Sequence, residues 1–163
     1  MERVIASLPA RVAAAAEYSA LGLESLPHCT RSGALIIHLH VTIMPIPILV
    51  VDDEPNFLTL MKSALGKRGF DVNAVETAAE ALKLLEKEHY DFALVDLRLG
   101  AASGIDLLAE IKRRQPRIRA IMVTGQPTDQ SRSEAKNRGA SAYLSKPLGL
   151  TDLLHTLATV LTQ

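Results

Sequence analysis

The chain changes character near Met44. Before it, the sequence is rich in alanine and shows no regular alternation of strand-like and helix-like segments; after it, one cycle repeats to the end. Residues 47–51 form a short apolar run ending in Val50 and Val51, a pattern that predicts a strand buried on both faces. Pro55 stands where a first helical residue belongs, Leu58, Met61 and Leu65 follow at helical spacing, and Gly69 predicts the stop. Phe70–Val75 predicts a second strand, and Thr77 caps a helix that turns Ala78, Ala81, Leu82 and Leu85 to one side. Phe92–Leu97 predicts a third strand, after which Ser103 caps a helix carrying Ile105, Leu108 and Ile111. Ala120–Val123 predicts a fourth strand. Residues 128–138 predict a weakly apolar helix with Ala135 as its one clear inward residue. Ser141–Leu144 predicts a short fifth strand, and Leu150, Leu153, Leu154, Leu157 and Leu161 draw an apolar stripe along a last helix.

Strands alternating with helices in this way define an α/β chain, a doubly wound five-stranded parallel sheet with five helices on its two faces. In such sheets ligands bind beyond the carboxyl ends of the strands, at a topological switch point. The chain therefore divides into an N-terminal extension, 1–43, and one domain, 44–163. The extension lacks a complete core pattern, and Met44 is itself a candidate start. We expect the extension to be disordered or a start-site misassignment, and dispensable for folding. The competing expectation is an amphipathic helix over Val4–Leu21; its alanine run favours helix, but its apolar face is thin and its positive charge slight, which disfavours membrane attachment.

The strand ends carry the chemistry. Strand one ends in Asp52-Asp53 with Glu54 next, strand three at Asp96, strand four in Thr124-Gly125, and strand five runs into Ser145-Lys146-Pro147. A parallel sheet brings these ends to one edge, so three carboxylates, a hydroxyl and an ammonium converge. Packed carboxylates repel and do not all ionise cheaply; a hard divalent cation relieves that repulsion, and Mg²⁺ suits one or two carboxylates, several waters and a phosphate oxygen. The lysine adds a mobile positive charge for phosphate. The set suits in-line phosphoryl transfer to a carboxylate. Each residue alone has a blander reading: an Asp after a strand as a helix cap, Thr124-Gly125 as a turn, Lys146-Pro147 as an exposed loop. Only their joint placement lifts the functional reading.

Residues 46–162 resemble the receiver domain of two-component response regulators, flavodoxin-like in fold. Val-Val-Asp-Asp-Glu-Pro (50–55), Leu-Val-Asp-Leu (94–97), Met-Val-Thr-Gly (122–125) and Tyr-Leu-Ser-Lys-Pro (143–147) match that family's motifs in order and spacing. The resemblance implies that Asp96 is the phosphorylated aspartate. It implies that Asp53 and Asp96 are direct Mg²⁺ ligands, with Asp52 acting through water and the backbone carbonyl of Arg98 completing the protein's share. Thr124 and Lys146 would bind phosphoryl oxygens, Pro147 would follow a cis peptide that helps aim the lysine, and Tyr143 would be the switch aromatic coupled to Thr124. Gly125 would leave room at the phosphoryl group. Arg98 is long and cationic at a position where the family varies, and bears on phosphoryl lifetime.

The implied function is that of a phosphoacceptor in a two-component phosphorelay, not a metabolic enzyme. It would take its phosphoryl group from a histidine kinase or phosphotransfer protein and switch a protein-interaction surface, as a monomer or a phosphorylation-dependent dimer. The alternative is an Mg²⁺-dependent aspartate-nucleophile phosphatase or phosphotransferase, but the second acid such enzymes place two residues after the nucleophile is here Arg98. A flavin or nucleotide binder would want backbone amides facing phosphate, whereas Asp52-Asp53-Glu54 repels it. Lys plus Arg equal Asp plus Glu, 18 each, so no cationic field marks a nucleic-acid ligand. Gln163 directly follows the last predicted helix, so a stand-alone receiver resembling the chemotaxis regulators is expected, with an unidentified protein partner. The apolar stretch from Ala34 to Val51 is broken by His38, His40, Pro45 and Pro47, which predicts no membrane span. The single cysteine, Cys29, has no internal partner, which fits a reducing, cytoplasmic setting.

Overall fold

A computed structural model describes residues 45–162, so the expectations for 1–43 lie outside the described residues. The element order is β1 (Ile46–Val51), α1 (Pro55–Gly66), β2 (Phe70–Val75), α2 (Ala78–Leu85), β3 (Phe92–Asp96), β4 (Arg98–Leu99), β5 (Ala102–Ser103), α3 (Gly104–Arg114), β6 (Arg119–Thr124), α4 (Asp129–Asn137), β7 (Ala142–Ser145) and α5 (Leu150–Leu161). β2, β1, β3, β6 and β7 form one sheet in that order, every pairing parallel. The expected five-stranded, five-helix architecture is therefore present. β4 and β5 were not expected; they pair antiparallel in a small separate hairpin.

The alternation of side chains along each strand sorts the core into two layers. Ile46, Ile48 and Val50 of β1, Phe92 and Leu94 of β3, and Ile121 and Val123 of β6 meet Leu58, Met61 and Leu65 of α1 and Leu153, Leu157 and Val160 of α5. On the opposite face, Leu49, Val51, Ala93, Val95, Ala120 and Met122 meet Ala81 and Leu85 of α2, Ile105, Leu108 and Ile111 of α3, and Ala135 of α4. A fully buried Leu, Ile or Phe contributes about 1.5–3 kcal/mol. α1, α3 and α5 each bury several such side chains, whereas α4 buries only Ala135. α4 is thus the most lightly held helix, as its sequence implied.

Helix starts follow local chemistry. Thr77 and Glu80 form a reciprocal capping box at α2, with Thr77 Oγ1 accepting from the Glu80 amide at 3.2 Å and Glu80 Oε2 accepting from the Thr77 amide at 3.2 Å. Ser103 Oγ accepts from the Asp106 amide at α3. α1 has no side-chain cap and relies on Pro55 in its first turn.

β1 sits between β2 and β3, so the chain winds first one way from β1 and then the other. The reversal lies at the carboxyl ends of β1 and β3, where Asp52 and Asp96 stand.

Candidate functional site

β1 delivers Asp52 and Asp53 to the switch point, β3 ends on Asp96, β6 ends on Thr124, and the segment after β7 supplies Lys146. Asp52 and Thr124 are each 1% exposed, while Asp53 opens to solvent. These groups surround a cleft of about 420 Å³ lined by Asp53, Glu54, Asp96, Arg98, Gly100, Gly125 and Lys146. The two most buried groups form its floor beneath that lining.

Lys146 organises the floor. Its Nζ lies 2.6 Å from Asp52 Oδ2 and 3.0 Å from Asp96 Oδ1, so one ammonium bridges two carboxylates that would otherwise repel. Burial pushes the Asp52 carboxyl up from its ordinary value; the Lys146 contact and the Glu54 amide, which donates to Asp52 Oδ1 at 3.1 Å, pull against that. Burial works against the charge on Lys146 as well, but its contacts with Asp52 and Asp96 outweigh it and leave the ammonium held above its ordinary value. Lys146 is therefore cationic at neutral pH. The Lys146–Pro147 peptide is cis, as the sequence led us to expect.

Asp96 is clamped from its other side. The Arg98 amide donates to Asp96 Oδ2 at 2.6 Å. The Leu97 amide still bonds the Val123 carbonyl, after which the backbone turns away. This turn ends β3 at Asp96, one residue earlier than the sequence pattern indicated, and starts the β4–β5 hairpin. Gly100 makes the hairpin turn at φ 60°, a left-handed conformation that favours glycine. Its amide reaches back across the cleft to Asp53 Oδ2 at 3.0 Å, tying the acid cluster to the hairpin.

The acidic side chains lining the cleft, Asp53, Glu54 and Asp96, offer only oxygens, the ligands of a hard cation. Among the described residues, no three His, Cys, Asp or Glu side chains already converge as a closed ligand set. The geometry accounts for this: Lys146 stands between Asp52 and Asp96, and Asp53 is engaged by the Gly100 amide. Asp52 Oδ2 is buried with no hydrogen bond of regular geometry, only its ion pair. The exposed Asp53, with one oxygen held by the Gly100 amide, stands where a cation arriving from solvent would meet the acid cluster.

Thr124 Oγ1 accepts from the Gln126 amide at 3.1 Å, and Gln126 Oε1 accepts from Arg98 Nη1 at 2.9 Å across the cleft mouth. Tyr143 lies in β7, paired in register with Met122. Its hydroxyl is 2.7 Å from Ser131 Oγ, and the Arg132 guanidinium stacks 4.7 Å from its ring centroid, both on α4. Thr124 and Tyr143 thus share no hydrogen bond here; each has its own partner. His89 and His155 are exposed.

Sequence reasoning missed two residues that shape this site. Gly104 opens α3 where a Cβ would overlap the Asp96 carbonyl oxygen, so the helix packs directly against the backbone of the proposed acceptor. The only available signal was a glycine directly after a capping serine. Phe57 lies on α1 with its ring centroid 4.5 Å from Lys146 Nζ, a contact that no spacing rule predicts.

The fold agrees with the comparisons. The family model described as the response regulator receiver domain matches residues 48–158, and the chain belongs to that family. It is a phosphoacceptor signalling domain of the two-component kind. It is 35% identical over 113 residues to the response regulator protein PilR of Pseudomonas aeruginosa, a match covering 69% of this chain and 25% of PilR. It is 32% identical over 110 residues to the photosynthetic apparatus regulatory protein RegA of Rhodobacter capsulatus, covering 68% of this chain and 60% of RegA. The chain thus spans less than two thirds of the length of either relative. Among solved structures it is similar to a response regulator protein from Burkholderia pseudomallei with a phosphorylated aspartic acid, calcium ion and citrate, at 35% identity and a TM-score of 0.68, covering 70% of this chain and 67% of that one. None of these three proteins supports the phosphatase alternative. No helix among the described residues is long and apolar enough to cross a membrane.

Proposed function

We propose that Asp96 is the phosphoacceptor, charged by a histidine kinase or phosphotransfer protein in the presence of Mg²⁺. One observation carries the reading: a single ammonium, Lys146, bridges Asp52 and Asp96 at the floor of the switch-point cleft. In the reaction an Asp96 carboxylate oxygen attacks phosphorus in line. The P–N bond of a phosphohistidine, or the P–O bond of a small acyl phosphate, breaks as the new P–O bond forms, and the departing group keeps the electron pair. Lys146 is placed to neutralise a phosphoryl oxygen, and the Thr124 hydroxyl to donate to another. Asp53, Asp96 and the Arg98 carbonyl would hold Mg²⁺ directly and Asp52 through water. When bound, the ion supplies positive charge to the phosphoryl oxygens. The calcium ion of the Burkholderia relative supports a divalent cation in a site of this kind.

The metal assignment is tested by titration. We expect weak Mg²⁺ binding to wild type and none to Asp53→Ala, with phosphorylation slowed by at least about tenfold. Asp53 is exposed, so the variant should melt close to wild type. An unchanged Mg²⁺ titration in Asp53→Ala would remove that residue from the ligand set.

The switch follows from the same geometry. A phosphoryl group at Asp96 draws the Thr124 hydroxyl away from the Gln126 amide, and Tyr143 moves into the space released, loosening its bond to Ser131 and its stack on Arg132. Because α4 buries only Ala135, those ties are a large part of what holds it to β7. We expect Thr124→Ala to retain some phosphorylation but to lose most of the amide shifts in α4 and β7. Equal shifts in both proteins would show that Thr124 and Tyr143 are uncoupled.

The receiver's output is contact through the face built by α4, β7 and α5. PilR and RegA are longer than this chain, so an output module joined to the receiver is the competing reading. The stand-alone reading expects the phosphorylated chain to bind a separate protein and not nucleic acid. The folding unit in this reading is 44–163: the described residues of the two core layers run from Ile46 to Leu161. A chain beginning at Met44 should match the full chain in melting temperature and phosphorylation rate; a large loss of either would make 1–43 integral.

A further inference from the structure

We propose that Phe57 is a positioning residue for Lys146, holding the ammonium over its ring so that the charge waits between Asp52 and Asp96. The proposal rests on the reading of Asp96 as acceptor and deepens it.

Lysine is a poor choice for a fixed charge. Its four-carbon stem is flexible, and its ammonium is a compact, strongly hydrated point charge. At the edge of a cleft it would spread over many rotamers, and each productive encounter would have to restrict them again. Here the carboxylates of Asp52 and Asp96 take two directions around Nζ, at 2.6 and 3.0 Å. A third is closed by the Phe57 ring, whose centroid is 4.5 Å from Nζ. The face of an aromatic ring is negative and attracts a cation within about 6 Å of its centroid. The ring also displaces water from that side of the ammonium, which strengthens both ion pairs.

The placement is not a by-product of core filling. The buried α1 residues that face the sheet are Leu58, Met61 and Leu65. Phe57 is only half-buried, packed against the edge of that layer, and its ring spans from the core rim to the lysine. The chain has only three phenylalanines; Phe70 and Phe92 are buried and pack edge-to-face against each other, whereas Phe57 meets the charge. A leucine at 57 would fill most of the same space, but it has no quadrupole. The ring therefore acts on Lys146, and through Lys146 on phosphoryl transfer, without touching the reacting atoms.

The test is a substitution series in the full chain, read as the rate of Asp96 phosphorylation by a small acyl phosphate with Mg²⁺, with a melting curve for each variant. Phe57→Leu should slow phosphorylation about fivefold, the factor expected for a partly desolvated cation–π contact. Phe57→Tyr, which keeps the ring face, should restore the wild-type rate. Singly, doubly and triply fluorinated phenylalanine at 57 should slow it step by step, because fluorination drains the ring's negative face while barely changing its shape. Wild-type rates across the fluorinated series would overturn the proposal and leave the Asp96 reading standing. So would a Phe57→Tyr variant as slow as Phe57→Leu. Wild type that takes no phosphoryl group at Asp96 would overturn both together.

Discussion

Asp96→Asn should abolish phosphorylation. Wild type, incubated with Mg²⁺ and a small phosphodonor, should gain one phosphoryl group that is labile to acid and base, as an acyl phosphate is, and the variant should gain none. The reason is specific to the group removed. A carboxamide is a far weaker nucleophile than a carboxylate, and it carries no negative charge for Lys146 or a divalent cation to balance. Its shape is nearly unchanged, so the bond from the Arg98 amide, now 2.6 Å, can be retained by the amide oxygen. Lys146 would keep Asp52 as its partner at 2.6 Å. The fold should therefore survive, with a stability change of about 1 kcal/mol or less, since one of two charge contacts is lost from a partly exposed ammonium. Intact-mass measurement decides the matter: undiminished labelling of Asp96→Asn would move the acceptor to another residue.

Gly104→Ala should be among the most damaging single-methyl changes in the domain. The added Cβ would overlap the Asp96 carbonyl oxygen and lie 2.9 Å from the Asp96 carbonyl carbon and 3.0 Å from that of Leu97. These are backbone atoms at the end of a buried central strand and of the residue after it, so no side chain can swing aside. Either α3 lifts from the sheet, disturbing Ile105, Leu108 and Ile111, or the end of β3 shifts and carries Asp96 with it. The expected cost is about 3 kcal/mol, the upper part of the usual range for overpacking, which lowers the melting temperature by roughly 10 °C for a domain of this size. Phosphorylation should slow in whatever fraction remains folded, because Asp96 loses its alignment with Lys146. A melting temperature within a degree or two of wild type would mean the α3–β3 contact is looser than this geometry.

Much of this site is legible in the sequence. The Asp52-Asp53 pair, Asp96, Thr124 and Lys146 are far apart in the chain, yet each follows an apolar run read as a strand. A parallel sheet gathers the carboxyl ends of its strands on one edge, so order along the chain was enough to bring them together. The Lys146 bridge was not legible. Five strand ends on one edge are compatible with many side-chain arrangements, and choosing the one with Nζ between Asp52 and Asp96 needs the actual positions of the backbone. The β4–β5 hairpin was missed for another reason: two strands of two residues each carry no period to detect. Strand Phe92–Leu97 was drawn one residue too long because Leu97 is as apolar as the strand before it, and only the Arg98 amide turning to Asp96 shows where the ladder stops.

By itself, the sequence determined the layer order, the inward face of each helix and the identity of the acids, the hydroxyl and the lysine. These follow from local periodicity and from the fixed polarity of parallel strands. Tertiary structure alone decided which groups touch. Gly104 must be glycine because a helix start meets a strand end that lies several residues earlier in the chain, and Phe57 meets Lys146 across 89 residues. Contacts of that kind depend on distances between elements, and a pattern of polar and apolar positions encodes which way a side chain faces but not how near its neighbour comes.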